Sequence, residues 1–222
     1  YVLGVDPARE SDLFAVSVLR LGANSNRLVK VETLEKPTFP EMAQKVRQLT
    51  HEFNVVRIAM DYGGGGLSVR DQLAEESVVY DPKTGEYIEE TPILPIDPKE
   101  FPERQGRRIL DVVYFSPKEI HQMNIDLKSD MEHNRLIIPR QANDRDEESE
   151  EVYAEIVQLE EELRNIVATV KPSGVLHFDT PNKNQIKDRY TSLMLAVKAA
   201  KDYQAEQDQK VKPTELAWGF WT

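Results

Sequence analysis

With 222 residues, 40% of them apolar and 30% charged, the chain fits one globular domain with a proper core, and no apolar run approaches the roughly 18 residues that a membrane span requires. Cysteine is absent, which excludes disulfides, thiol nucleophiles and cysteine-rich zinc sites, so any metal must take oxygen or imidazole ligands. The net charge of −11 argues at first sight against nucleic acid, but residues 144–162 hold ten acids and one base, which leaves only −2 for all the rest.

In chain order, residues 2–5, 13–21 and 28–34 are apolar runs separated by polar links, and they predict three consecutive strands in an antiparallel meander. The first run shows no signal-peptide pattern, and no initiator methionine precedes it, so the sequence reads as a fragment of a longer protein. Pro40 opens a segment in which Met42, Val46, Leu49 and Phe53 recur at helical spacing. The β-branched run at 55–60 predicts a fourth strand, ending at Asp61 and the glycines at 63–66. A short helix is expected over 67–75. Residues 80–108, rich in Pro, Gly and charge, read as an extended loop or hairpin excursion. A strand at 110–115, a helix capped by Ser116 and Pro117 and running to about His133, and a short edge segment at 136–139 come next. Residues 147–170 predict one long helix, 175–178 a strand and 188–204 the last helix. The pattern describes an α/β domain spanning 1–222 without internal repeats.

Three aspartates recur in equivalent settings: Asp6 ends the first strand, Asp61 ends the fourth, and Asp188 starts the last helix. Strand ends and helix starts bring residues from distant segments to one rim of a sheet. Three converging carboxylates repel one another unless a divalent cation neutralises them, and hard oxygen ligands suit Mg²⁺ or Mn²⁺. Each residue also has a plain structural role open to it: a turn at Asp6-Pro7, a loop opener at Asp61, a helix N-cap at Asp188.

The stretches Gly4-Val5-Asp6-Pro7-Ala8, Ala59-Met60-Asp61 followed by glycines, and Lys187-Asp188-Arg189-Tyr190-Thr191-Ser192-Leu193 resemble, in order, the nuclease domain of the large terminase subunit of tailed bacteriophages. The resemblance implies an RNase H-like mixed sheet, with the antiparallel three-strand meander and further parallel strands flanked by helices. It also implies a two-metal endonuclease acting on double-stranded DNA during genome packaging. In such a protein the domain follows a packaging ATPase domain of the same chain and works in the host cytoplasm with the portal and the small terminase. Asp12 resembles an auxiliary acid found near the metals in some relatives. Where some relatives carry a second acid beside the helix-start aspartate this chain has Lys187, and Asp179 is a candidate to take that place.

No G-x-x-x-x-G-K-[ST] phosphate loop, G-x-S-x-G elbow or H-E-x-x-H pattern occurs. A lone His177 in a strand is more often packing or surface than ligand. The glycines at 63–66 read most simply as a mobile loop, with close approach of backbone to a DNA phosphate as the functional alternative. Candidates for phosphate contact are Arg104, Arg107 and Arg108 in the excursion, and Lys183, Lys187 and Arg189 around the third aspartate. The acidic helix over 147–162 is expected to face away from DNA.

The expected chemistry has Asp6, Asp61 and Asp188 holding two Mg²⁺ or Mn²⁺ ions about 4 Å apart, with Asp6 bridging. One ion activates a water for in-line attack and the other stabilises the leaving 3′ oxygen. Two other readings compete. A sugar-kinase-type ATPase shares the fold but needs a glycine- and threonine-rich turn after the first strand, which residues 7–10 lack. The third is a non-catalytic DNA-docking or assembly module.

Overall fold

The computed structural model describes residues 1–7, 13–81, 84–140, 147–171, 176–182 and 185–211. Its main sheet has seven strands. The meander of β1 (Val2–Asp6), β2 (Leu13–Arg20) and β3 (Asn26–Glu35) is antiparallel, as the sequence predicts. On the open side of β1, β4 (Arg57–Asp61), β8 (Arg107–Val113) and β7 (Ile93–Pro95) add in parallel, and the two-residue β9 (Leu136–Ile137) lines the far edge of β3. The spatial order is β7-β8-β4-β1-β2-β3-β9.

Alternation along the strands gives the sheet two apolar faces, each closed by helices. Leu3, Val5, Ile58 and Met60 point to a core with α1 (Phe39–Glu52) and α2 (Gly66–Leu73). Val2, Ala59 and Val113 point to a second core with α3 (Pro117–Glu132), α4 (Glu147–Asn165) and α5 (Asp188–Val211). The helix starts follow their local chemistry. Thr38 and Glu41 form a reciprocal capping box at α1, where Pro40 occupies the first turn, and Ser116 caps α3 ahead of Pro117.

One segment departs from the sequence expectation. The stretch 147–170 is not one helix: α4 stops at Asn165, and β10 (Val167–Val170) pairs antiparallel with β11 (Leu176–Asp179) as a separate hairpin. The run Val167-Ala168-Thr169-Val170 is β-branched at three of its four positions, and Pro172 lies just beyond it, so pairing prevails over continuation of the helical stripe. The excursion at 80–108 contains a hairpin of β5 (Ser77–Asp81) and β6 (Glu86–Glu90), followed by the short edge strand β7.

α2 is held by an arginine that the apolar pattern of α1 hides. Arg47 is 1% exposed, and its Nη2 donates to the carbonyls of Gln72, Leu73 and Glu75 at 3.2, 3.0 and 2.5 Å, closing the C-terminal end of α2. Arg47→Met keeps the volume but orphans these acceptors, so it should cost about 1–3 kcal/mol. Thermal denaturation of the variant measures that loss, and an unchanged melting temperature would refute the clamp.

Candidate metal centre

Asp6 and Asp61 are the terminal residues of neighbouring parallel strands, one step beyond the paired residues Val5 and Met60. By alternation they share the face of Val2 and Ala59, the face covered by α5. Asp188 is the first residue of that helix. Its Oδ2 accepts a 2.9 Å hydrogen bond from the amide of Leu13, the residue that opens β2 at the same end of the sheet. Three segments separated by more than fifty residues therefore deliver carboxylates to one face at one rim. All three aspartates are half-buried.

What brings α5 so near is the absence of side chain at Gly4. A Cβ there would lie 2.0 Å from the Ser192 carbonyl and 2.2 Å from the Ala196 amide, so helix backbone rests on strand backbone. Beside this crossing Ser17, opposite Gly4 in the sheet, and Ser192 share a buried 2.7 Å hydroxyl hydrogen bond. Asp188 sits one helical turn before Ser192, and its position is set by this contact.

Asp61 carries the clearest electrostatic mark. Burial pushes its carboxyl above the ordinary range, and the amides of Gly63 and Tyr62 offset only part of the effect. The Gly63 amide donates to Oδ1 at 3.0 Å, and no lysine, arginine or histidine among the described residues pairs with the carboxylate. The glycines make a defined tight entry into α2. Gly65 has φ of +111°, and a Cβ on Gly66 would stand 1.9 Å from the Asp61 carbonyl.

These donors suit a hard divalent cation: they are carboxylates on one face, one of them half-buried without a countercharge among the described residues. Among the described residues no group of three acids or histidines is by itself arranged as a metal-binding cluster. Asp12 lies outside the described residues.

The fold is similar to that of known domains. Residues 3–90 match the family model described as the Terminase RNaseH-like domain. The whole fold agrees with solved structures. The large terminase nuclease from thermophilic phage G20c is 16% identical, with 89% of this chain and 81% of that chain covered, at a TM-score of 0.58. A variant of the large terminase subunit of bacteriophage Sf6, solved with calcium, is 13% identical over 88% of this chain and 87% of its own, at 0.59. The nuclease domain of the large terminase from bacteriophage SPP1, with bound Mn, is 14% identical over 88% and 84%, at 0.51. A comparison with curated proteins returned no match.

Around the three aspartates of this fold, most of the bases expected to meet phosphate are engaged elsewhere. Arg189 is 8% exposed; its Nε reaches Glu155 at 2.7 Å and its Nη1 reaches Glu162 at 2.9 Å, both on α4. Glu162 also accepts the amide of Tyr190 and so closes the first turn of α5 from the neighbouring helix. This corrects the expectation for Arg189, which is a structural ion-pair residue held by charge that the acidic helix turns inward. The three arginines of the excursion brace loops. Arg104 binds the Ala74 carbonyl and Glu75, Arg107 the Val55 carbonyl, and Arg108 the carbonyls of Pro95, Asp97, Glu100 and Phe101. Lys183 lies outside the described residues.

Lys187 is half-exposed beside Asp188 and pairs with Asp179 at 2.6 Å. The Lys187 ammonium holds the Asp179 carboxyl below the usual carboxylate range, with the Thr180 amide assisting. His177 stands 3.7 Å from the other oxygen of Asp179. Sequence reading passed over one feature of the rim, an edge-to-face pair formed by Tyr62 and Tyr114. Tyr62 is visible as the neighbour of Asp61, but its partner lies 52 residues away with no periodic signal to join them.

Proposed function

We propose that this chain is a metal-dependent DNA endonuclease that cuts concatemeric viral DNA during genome packaging. The observation that carries the reading is the delivery of Asp6, Asp61 and Asp188 to one face and one rim of the sheet, with α5 pinned there through Gly4. These three would hold two divalent cations, Mg²⁺ or Mn²⁺, with Asp12 as an additional acid. The G20c nuclease has been solved with bound magnesium and the SPP1 domain with bound Mn. When bound, such ions supply an activated water and neutralise charge that builds on the leaving 3′ oxygen.

The chain's own groups set up that chemistry. The Gly63 amide fixes the rotation of the Asp61 carboxylate through Oδ1, and the Leu13 amide fixes Asp188 through Oδ2, so both acids are oriented before substrate arrives. Lys187 puts a positive charge beside the helix-start acid and is the base best placed to offset the repulsion between this rim and a phosphate backbone. No side chain acts as a covalent nucleophile, and the expected products carry 3′-hydroxyl and 5′-phosphate ends. The substrate is double-stranded DNA. The proposed partners are a packaging ATPase domain of the same polypeptide, the portal and the small terminase, working in the host cytoplasm.

Metal removal tests this directly. Supercoiled plasmid incubated with Mg²⁺ or Mn²⁺ should become nicked and linear, and excess chelator should stop the reaction. Cleavage that persists in chelator would overturn the reading, as would plasmid that stays intact through long incubation with Mn²⁺.

A further inference from the structure

Two exposed tyrosines follow the strand ends at the rim that carries the proposed centre. Tyr62 follows Asp61, and Tyr114 follows Val113, the strand partner of Asp61; the Tyr62 amide donates to the Val113 carbonyl at 2.8 Å. Their rings meet edge to face, with centroids 5.7 Å apart and planes at 75°. They are nonetheless 45% and 70% exposed, although large aromatic rings ordinarily carry much of a fold's buried area. Nothing in the fold requires this pair. Both rings follow strand ends where the parallel strands β4 and β8 leave the sheet.

We propose that Tyr62 and Tyr114 form a stacking seat for an unpaired nucleotide of the strand being cut, next to the scissile phosphate. The assignment rests on the nuclease reading of Asp6, Asp61 and Asp188. Three observations favour nucleic acid over a protein at this spot. The seat adjoins Asp61, since Tyr62 is the next residue of the chain and Tyr114 follows its strand partner Val113, so a docked protein would cover the acids. The rings are uncharged, and they add affinity for a polyanion without a base at a rim where the neighbouring Arg189 is already committed to Glu155 and Glu162. An edge-to-face pair also leaves ring surface open to a third aromatic partner, and every base presents a π-face, so the contact works without reading sequence. The substrate class that follows is DNA with a locally unpaired nucleotide at the cut, as a bubble or frayed junction, bound in preference to fully paired duplex.

The experiment measures binding and cleavage separately, using duplexes that are fully paired or carry a central bubble with 2-aminopurine. Binding is followed by anisotropy with calcium present, and cleavage with Mn²⁺. The wild-type chain should bind the bubble several-fold more tightly and quench the 2-aminopurine. The Tyr62→Ala, Tyr114→Ala double variant should lose about tenfold in bubble affinity and raise KM by a similar factor, with kcat changed much less. The Tyr62→Phe, Tyr114→Phe double variant should retain the preference, because stacking does not need the hydroxyl. Unquenched 2-aminopurine, or equal bubble binding by the alanine variant, would overturn the seat and leave the rings to a protein contact or bare surface. Failure of the wild-type chain to cleave in Mn²⁺ would instead sink the nuclease reading, and the binding measurements would still decide the role of the rings.

Discussion

Asp61→Asn is expected to abolish metal-dependent cleavage, by about 10³-fold or more, while making the metal-free chain more stable. The two effects share one cause. Asp61 is half-buried, burial raises its carboxyl above the ordinary range, and only backbone amides attend it. For a group whose folded-state pKa is raised, the associated stability is fully present below the unfolded-state value and is lost as pH rises through the folded-state value. At neutral pH the buried charge therefore destabilises the fold, and an amide of the same shape, still able to accept from Gly63, removes that cost. Melting temperatures in chelator should be higher for Asp61→Asn than for wild type at pH 7, and the gap should close as pH falls into the carboxylate range. Added Mn²⁺ should reverse the order, since a ligand that binds only the folded state at 100 times its Kd adds about 2.7 kcal/mol, and the variant has lost a principal ligand. A variant that cuts plasmid at the wild-type rate would remove Asp61 from the centre. One that melts lower in chelator would show the carboxylate to be structural.

This coupling explains which parts of the molecule could be read from its residues. The meander, the capped starts of α1 and α3 and the strand-end positions of Asp6 and Asp61 are local properties, set by alternation, by Thr38 and Pro40, and by Ser116 and Pro117. The joining of β4 and β8 in parallel is not local, and neither is the split of the predicted long helix near Ile166, where an apolar stripe that fits a helix meets β-branched residues that pair better as a strand. The bases were hardest to read. Arg189 next to Asp188 looks like a phosphate contact in sequence, because its true partners Glu155 and Glu162 lie 34 and 27 residues away. The same holds for Arg47, an exposed-type residue that its helix turns fully into the core. Spacing signals which face a residue takes, but not which distant carbonyl or carboxylate will meet it there.

Gly4→Ala should damage the fold strongly, and its damage should reach the acids. The added Cβ would meet helix backbone, the Ser192 carbonyl at 2.0 Å and the Ala196 amide at 2.2 Å, so no rotamer change relieves it. Either β1 or α5 must move. β1 is paired on both sides, by β2 and β4, so the helix yields. The Ser17–Ser192 hydrogen bond then lengthens, and the Leu13 amide loses Asp188. Overpacking of this kind costs on the order of 3 kcal/mol, which for a domain of this size lowers the melting temperature by roughly 10 °C. Cleavage by the surviving folded fraction at low temperature should also fall, by about 10²-fold, because an ångström of displacement at Asp188 breaks the geometry that positions the acids. Ala196→Gly should not rescue Gly4→Ala, since the methyl is blocked by the Ser192 carbonyl and by the backbone nitrogen and Cα of residue 196, which that change leaves in place. A Gly4→Ala protein that melts and cuts like wild type would show that α5 tolerates a shift, and that Asp188 need not be held against the rim.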